Sequence, residues 1–585
     1  MAHSGAVKDA CRLFLRFNAY LARYRKAEAL LFLCGAVSML FSLIGPYLGK
    51  LILDNGILAK DMNAFLTYTI IGGVIYIFRQ AADRGTLLLK SYTTRRIKID
   101  LARAVFKKTQ ALSLRSFRDR SIGGYVSRFS SDITASSGII ASTLPELLKV
   151  ALRLVLITAI IFVINFKILI LILCYQLIMI VRIRYFARKQ DELAEASYKK
   201  GWEMSKALTR IFSQIYIVKA AGSMAAMARR YFRSFLDSIR LEVAVSKLEF
   251  VSEALSEASN KIFFGAIGFV GTIMVVKGRL TLGSLGAILA YMSQGAAAYT
   301  ALVEIFRRMI SNRIPLEHTA GLLDAEIDVR EKEFAPYVNF SGGGVEFKRV
   351  SFGYDAGKDV FSGISFVITP GSRSALVGPS GSGKTTIANL ILRLYDTNSG
   401  SVLLDGRDVR EMSLKSIYSQ VGLAPQAPPL WSGSIAEAIT YGSSKIDMAA
   451  VEHAAELAEI GDFIRRLCGG YDTVLEDMVS TISQGQRQRI AIAAALAKRP
   501  KILIMDEACA SLDSGTEERI VENIMRAFPE MTLITISHRL SSARKMDAVY
   551  FLKGPCTIIA ADHGTLAQSD AEYNGLFAGQ LDAVR

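Results

Sequence analysis

Six segments in the first 310 residues are apolar enough to cross a bilayer, and they constrain this chain more than any other feature. A hydrocarbon core of ~30 Å takes about 20 mostly apolar helical residues. The segments lie near Ala27–Leu53, Ala64–Leu89, Leu147–Asn165, Lys167–Val181, Ile262–Val276 and Leu280–Val303. The last two carry much Gly, Ala and Ser, which suits close helix packing or the lining of a polar cavity. Hydrophobic residues make up 51% of the 585, yet 21% are still charged. The apolar runs crowd into the first half, and the remainder has the composition of a soluble α/β domain. The chain is therefore a membrane part joined to a soluble part.

The net charge of +17 would suit a nucleic-acid binder, but its placement argues for a membrane protein instead. Lys and Arg sit beside the apolar spans, as in Arg23-Tyr24-Arg25-Lys26, Arg95-Arg96-Ile97-Lys98 and Arg182-Ile183-Arg184. Such clusters mark the cytoplasmic side, where anionic lipid also attracts them. Leu53 to Asn63, Asn165 to Lys167 and Lys277 to Arg279 are short links with few charges, whereas the intervening links are long and basic. The expectation is six spans with both termini and two long loops in the cytoplasm. The long loops have helical periodicity, so the spans should run on as helices well outside the bilayer. Arg153 lies twelve residues from the outer end of the third span, about 18 Å deep at 1.5 Å per residue. A charge there should face a cavity or a partner, not lipid. Arg153 is accordingly either a buried structural contact or a substrate-cavity residue. Arg79 with Asp83, and Glu257 with Lys261, are each one helical turn apart and can neutralise each other. The six Cys are scattered, without metal-ligand spacing, and read as reduced structural thiols.

From Gly344 the pattern becomes that of strands and helices. Leu376-Val377 ends an apolar strand, and Gly378-Pro379-Ser380-Gly381-Ser382-Gly383-Lys384-Thr385-Thr386 follows, leading into a helical run. This is G-x-x-x-x-G-K-[ST] in its strand–loop–helix setting. Its backbone N–H groups and helix N-terminus suit phosphates, Lys384 supplies charge to the β- and γ-phosphates, and the Thr385 hydroxyl suits Mg²⁺. About 120 residues on, Lys501-Ile502-Leu503-Ile504-Met505-Asp506-Glu507 delivers two acids from an apolar strand. Asp506 suits the metal, and Glu507 suits the activation of water as general base.

The run Ile482-Ser483-Gln484-Gly485-Gln486-Arg487-Gln488-Arg489 resembles the L-S-G-G-Q signature of ABC ATPases. The resemblance implies that Ser483, Gln484, Gly485 and Gln486 cap the γ-phosphate of ATP held by a partner subunit. It also implies that Tyr354 stacks on adenine and that Gln426 serves the metal and couples it to the membrane domain. Asp513, in Ala510-Ser511-Leu512-Asp513, would belong to the loop across the dimer, and His538 would contact the γ-phosphate. Phe117–Asp132 and Ile215–Gly222 are similar to the two cytoplasmic loops of the six-helix exporters of this family, where coupling helices dock on the ATPase. The resemblance covers nearly the whole chain.

This sequence departs from the family pattern in a few places. Gln484 replaces the first signature glycine and Ile482 its leucine. Ala494 stands where many members have Arg, and Glu476-Asp477-Met478-Val479 replaces G-E-R-G. None of these removes a catalytic group.

The expected architecture is an all-α six-helix transmembrane domain followed by an α/β P-loop ATPase domain of ABC type. Its boundaries are an N-terminal segment over 1–26, a transmembrane domain over 27–320, a linker over 321–343 and a nucleotide-binding domain over 344–585. The resemblance implies a homodimer using ATP and Mg²⁺, with membrane lipid around it and no nucleic acid. It points to export of a peptide or small hydrophobic compound by alternating access. A lipid flippase is the alternative, and an ATP-gated channel or sensor is the rival of another class. Compact size suggests a bacterial inner membrane. With about 26 residues before the first span, no peptidase domain is expected ahead of it.

Overall fold

The computed structural model describes residues 17, 23–112, 114–118, 125, 128–355, 357–428, 433–441, 447–475, 482–537 and 539–577. Internal packing divides the chain into two units, Met1–Ala111 with Arg120–Ala325, and Leu112–Asp119 with Glu326–Arg585.

The first unit is helical throughout. Its helices are α1 (Arg25–Leu51, continued as a π-helical segment Ile52–Leu58), α2 (Met62–Gln110), α4 (Ile133–Ile164), α5 (Phe166–Ser213), α6 (Ile215–Ala220), α7 (Met224–Val276), α8 (Leu282–Ser311) and α9 (Arg313–Asp324); α3 (Leu114–Arg118) groups with the second unit. At 1.5 Å per residue, the 49 residues of α2 extend about 74 Å, well beyond a ~30 Å hydrocarbon core. The helices change direction at capped turns. The Asp61 carboxylate accepts from the Asn63 and Ala64 N–H groups at 2.9 and 3.1 Å. Asn165, alone between α4 and α5, does the same for Lys167 and Ile168. Each cap satisfies N–H groups that a helix start leaves without partners. The π-helical end of α1 is tied to the start of α8, because Asp54 accepts from the Gly283 N–H at 2.9 Å and from the Thr281 hydroxyl at 2.6 Å. Among the described residues, four stretches are both long and apolar enough to span a membrane, Arg25–Leu58, Met62–Gln110, Phe129–Ile164 and Met224–Val276, and they coincide with the first, second, third and fifth of the six segments expected from the sequence. The α6 helix is six residues long and stands between two of the longest helices, within the segment similar to a coupling loop.

The second unit contains two sheets. The smaller is antiparallel, ordered β2 (Phe361–Ile368), β1 (Val345–Phe352), β4 (Ser399–Leu404), β5 (Arg407–Asp408). The larger is ordered β10 (Thr557–Ala561), β9 (Ala548–Gly554), β3 (Arg373–Val377), β8 (Thr532–Ile536), β7 (Ile502–Asp506), β6 (Val421–Ala424), and all its pairings except β10 with β9 are parallel. The strands β3, β7 and β8 are almost wholly buried, which explains their unbroken apolar runs. Helices flank the sheets: α10 (Lys384–Ile391), α11 (Leu414–Gln420), α12 (Ile435–Ile439), α13 (Met448–Leu457), α14 (Gly461–Arg465), α15 (Gln484–Leu496), α16 (Ser514–Ala527), α17 (Leu540–Arg544), α18 (His563–Ser569) and α19 (Ala571–Leu576). In a parallel sheet all strands end on one edge, and that is where open α/β folds bind ligands.

Candidate functional site

Strand register brings the two acidic and phosphate-binding motifs together. Leu376 of β3 pairs with Ile536 of β8, and Ile536 pairs with Asp506 of β7. The loop after β3 and the acids at the end of β7 therefore share one sheet edge.

The loop from Gly378 to Gly383 turns directly into α10. Gly383 occupies the helix N-cap with φ +96, and no side chain caps that end. A Cβ at Gly383 would approach the Phe361 ring at 2.5 Å, so both the backbone conformation and the packing demand glycine. The first-turn N–H groups are thus left for an anion, at the positive end of the helix dipole. The Lys384 ammonium lies inside this loop and donates to the carbonyls of Gly378 and Pro379 at 2.9 and 2.8 Å. Burial pushes it below the usual lysine range, against the opposing charges of Glu507 and Asp506. The Ser382 hydroxyl is shut away from solvent with no hydrogen-bond partner among the described residues. A buried, unpaired hydroxyl in a phosphate-shaped loop is the kind of group a bound nucleotide satisfies. Pro379, Ser380 and Gly381 complete the loop, and Thr386 is buried on the first turn of α10.

Asp506 is buried, which raises its carboxyl above the usual range, while a hydrogen bond from Thr385 and the charge of Lys384 oppose the rise. Thr385 and Asp506, brought into contact this way, are both hard oxygen donors of the type Mg²⁺ takes. A divalent cation there would offset the cost of keeping Asp506 ionised. The donor set therefore fits the metal. Glu507 holds a left-handed backbone with φ +48. Strained non-glycine residues of this kind persist only where the surroundings over-determine them. Here the Glu507 N–H is bound by the Ile536 carbonyl, and its own carbonyl accepts from Ala510. The Gln426 amide donates to the Glu507 carboxylate.

Tyr354 is placed beside the loop. Its hydroxyl lies 3.0 Å from the Thr386 hydroxyl, and its ring packs edge-on to Phe352 and Tyr395 at 5.0 and 5.1 Å. Ser483 caps α15 reciprocally. Its hydroxyl accepts from the Gln486 N–H at 3.2 Å, and the Gln486 side chain accepts from the Ser483 N–H at 2.9 Å. Gln484 is exposed on the first turn, and Gly485 packs by Leu512. Asp513 caps α16 through the Thr516 N–H at 2.9 Å. His538 lies outside the described residues, as do Glu476 to Val479 and part of the first loop similar to a coupling loop.

Two residues that the motifs do not single out hold these loops together. Gln488 is buried on α15 and accepts from both the N–H and the hydroxyl of Ser511, at 3.1 and 2.5 Å. Its amide also reaches the Gln426 carbonyl at 3.5 Å. It thereby bridges the signature helix, the loop leading to Asp513 and the loop of Gln426. Arg539 donates to the Ala510 and Leu512 carbonyls and pairs with the buried Glu517, each at 2.9 Å. Only adjacency to known motifs could have flagged either one.

Comparison with known proteins agrees with this geometry. A family model described as ABC transporter transmembrane region matches residues 29–297, and one described as ABC transporter matches residues 361–510. An ATP-dependent lipid A-core flippase of Syntrophus aciditrophicus is 28% identical over 563 residues, covering 96% of this chain and 93% of the relative. A fatty acid ABC transporter ATP-binding/permease protein of Mycobacterium tuberculosis is 30% identical over 490 residues, covering 83% and 76%. A solved structure of a bacterial Atm1-family ABC exporter with ATP bound superposes with a TM-score of 0.85 at 26% identity, covering 96% of this chain and 99% of the other.

Proposed function

The chain belongs to the ABC transporters, with a membrane region and an ATPase domain in one polypeptide, and from that premise we propose that it is an exporter-type half-transporter working as a homodimer. It moves an amphipathic compound out of the cytoplasm of a bacterial cell, across the inner membrane. Six spans, near the segments named from the sequence, place both termini in the cytoplasm. The observation that carries the reading is one ATPase edge with Lys384, Thr385, Asp506 and Glu507 assembled, in a chain that also carries apolar helices long enough to span a membrane.

Lys384 exchanges its two loop carbonyls for the β- and γ-phosphates of ATP. Thr385, Asp506 and Gln426 would hold Mg²⁺, which when bound neutralises phosphate charge. Glu507 polarises the attacking water, oriented by Gln426 and by its own constrained backbone. Tyr354 supports adenine, and His538 serves the γ-phosphate. Ser483 to Gln486 and Asp513 act on the ATP of the partner subunit. ATP closes the two ATPase domains, and the loops similar to coupling loops, Phe117–Asp132 and Ile215–Gly222, pass that closure to the membrane helices. The cavity then alternates between inward- and outward-facing states, biased by their different affinities for cargo.

A second reading, a lipid flippase, is favoured by the likeness to the lipid A-core flippase. The test is ATP-driven uptake of labelled amphiphiles into inverted vesicles. Uptake is expected with the native protein and not with Glu507→Gln, whose ATPase rate should fall about 10²- to 10⁴-fold. Full-rate hydrolysis by Glu507→Gln would overturn the catalytic assignment. Hydrolysis without uptake would favour the channel or sensor class.

A further inference from the structure

Four helices of the membrane unit turn charged and polar side chains toward one another. On α1, Gly35, Ser38 and Ser42 recur at helical spacing. Ser38 donates to Asp83 of α2, and Ser42 meets Gln294 of α8 at 3.2 Å. The stem of Lys149 on α4 fills the space that the missing side chain of Gly35 leaves, 3.5 Å from where its Cβ would be. Arg79 pairs with Asp83 at 3.8 Å, and Arg153 and Lys149 both stand within electrostatic reach of these two.

The charges do not balance. Three cations, Arg79, Lys149 and Arg153, share one carboxylate, Asp83. Glu146, one helical turn before Lys149, also bears on it, but it is already held by Lys90 at 2.5 Å and Arg308 at 2.8 Å. Neither Lys149 nor Arg153 donates a hydrogen bond to any described residue, and the Arg153 Nε is closed off from solvent without a partner. Counted from the turns at Asn165 and Asp61 at 1.5 Å per residue, Arg153, Lys149 and Arg79 lie about 18, 24 and 27 Å along their helices. All three fall within a ~30 Å hydrocarbon core. A cation at the depth of Arg153 is costly unless it meets an anion, and Lys149 and Arg79 stand nearer the inner face on the same side of the helix cluster.

We infer that Lys149 and Arg153, flanked by Arg79, form a binding site for an anionic oxygen group, a phosphate or carboxylate, on an amphiphilic cargo. This rests on the exporter reading above. Guanidinium and ammonium groups suit such oxygens directly. Ser38, Ser42 and Gln294 supply a neutral polar wall, and the apolar cluster around Leu43, Ile157 and Ile161 continues toward the other membrane face. An anionic head joined to an apolar tail matches that gradient.

The experiment uses the full-length protein in nanodiscs of zwitterionic phosphatidylcholine, so that the lipid contributes no net anion. ATPase stimulation is measured with dodecyl phosphate, laurate, dodecyltrimethylammonium and glycerol phosphate, alongside direct binding of fluorescent dodecyl phosphate. Both anionic amphiphiles should stimulate at about tenfold lower concentration than the cationic one, and glycerol phosphate should be much weaker. Lys149→Gln and Arg153→Gln should each weaken the anionic response about tenfold, whereas Lys149→Arg and Arg153→Lys retain it. Equal potency of anion and cation overturns the proposal, as does an unchanged anionic response in a folded Lys149→Gln/Arg153→Gln protein. Glycerol phosphate matching dodecyl phosphate would overturn the amphiphile. Charge-dependent binding without any stimulation would uphold the anion site and sink the exporter reading instead.

Discussion

The single side chain of Gln488 joins the signature helix to the Ser511 and Gln426 loops. The phosphate loop was legible because its chemistry needs consecutive residues: glycines that let N–H groups converge, then Lys384 and Thr385 on the first helical turn. The acids were legible because one buried strand delivers both. Gln488 acts through partners 23 and 62 residues away, and no local pattern encodes them. Its removal tests whether it positions the loops or merely packs. Gln488→Ala leaves the Ser511 N–H and hydroxyl without their acceptor and frees the Gln426 loop. The nucleotide loop is untouched, so kcat should fall about tenfold while KM for ATP stays nearly constant. Gln488→Glu keeps the acceptor but loses the donor to Gln426, and should recover part of the rate. Steady-state ATPase kinetics on both variants check this, and native kcat in Gln488→Ala would dismiss the role.

At the scale of elements, helix length was readable and helix termination was not. Unbroken periodicity and charge beyond the apolar runs pointed to long helices, and α2, α5 and α7 run 49, 48 and 53 residues. The π-helical end of α1 has no such signature, because contacts with α8 through Asp54 accompany it. The hairpin joining β4 to β5 was more local. Asp405-Gly406 takes positive φ at both positions, the turn that an Asp-Gly pair favours between antiparallel strands. Asp405 has a second, long-range task. Its carboxylate accepts from the N–H groups of Ser341, Gly342 and Gly344 at 2.6, 3.0 and 2.7 Å, pinning the segment that leads into β1. Burial alone would raise its carboxyl, but those N–H groups win and hold it below the usual range. A depressed pKa means stability that is present above the unfolded value and lost as pH falls through the folded one. Asp405→Asn should therefore cost about 1 kcal/mol near pH 7, a modest figure because the site is partly solvated. Thermal unfolding against pH checks it. The gap between the native and variant proteins should close as pH drops below 4, and a gap independent of pH would mean that the charge is not the source.

At the scale of the molecule, the ATP site looks incomplete within a single ATPase unit. The phosphate-loop helix α10 packs on β4 and β7, whereas the signature helix α15 packs on α12, α13, β6 and β7. Ser483 and Gln484, at the start of α15, are exposed. A helix start that presents N–H groups and a hydroxyl to solvent can serve an anion brought by another molecule. In the homodimer proposed above, a two-fold axis would present each signature to the other copy's phosphate loop and make two equal sites. Cysteine crosslinking distinguishes this from a site closed within one chain. In a cysteine-free Glu507→Gln background, one copy carries Ser380→Cys and a differently tagged copy carries Gln484→Cys. With ATP and Mg²⁺ present, oxidation should yield a covalent dimer bearing both tags, and without nucleotide that yield should fall several-fold. A single chain carrying both substitutions should also run as a dimer on denaturing gels. If it runs instead as a monomer with an internal link, the site belongs to one chain. If both cysteines react with maleimide yet no dimer forms with ATP, the two-chain site is wrong, and the exposed start of α15 needs another partner.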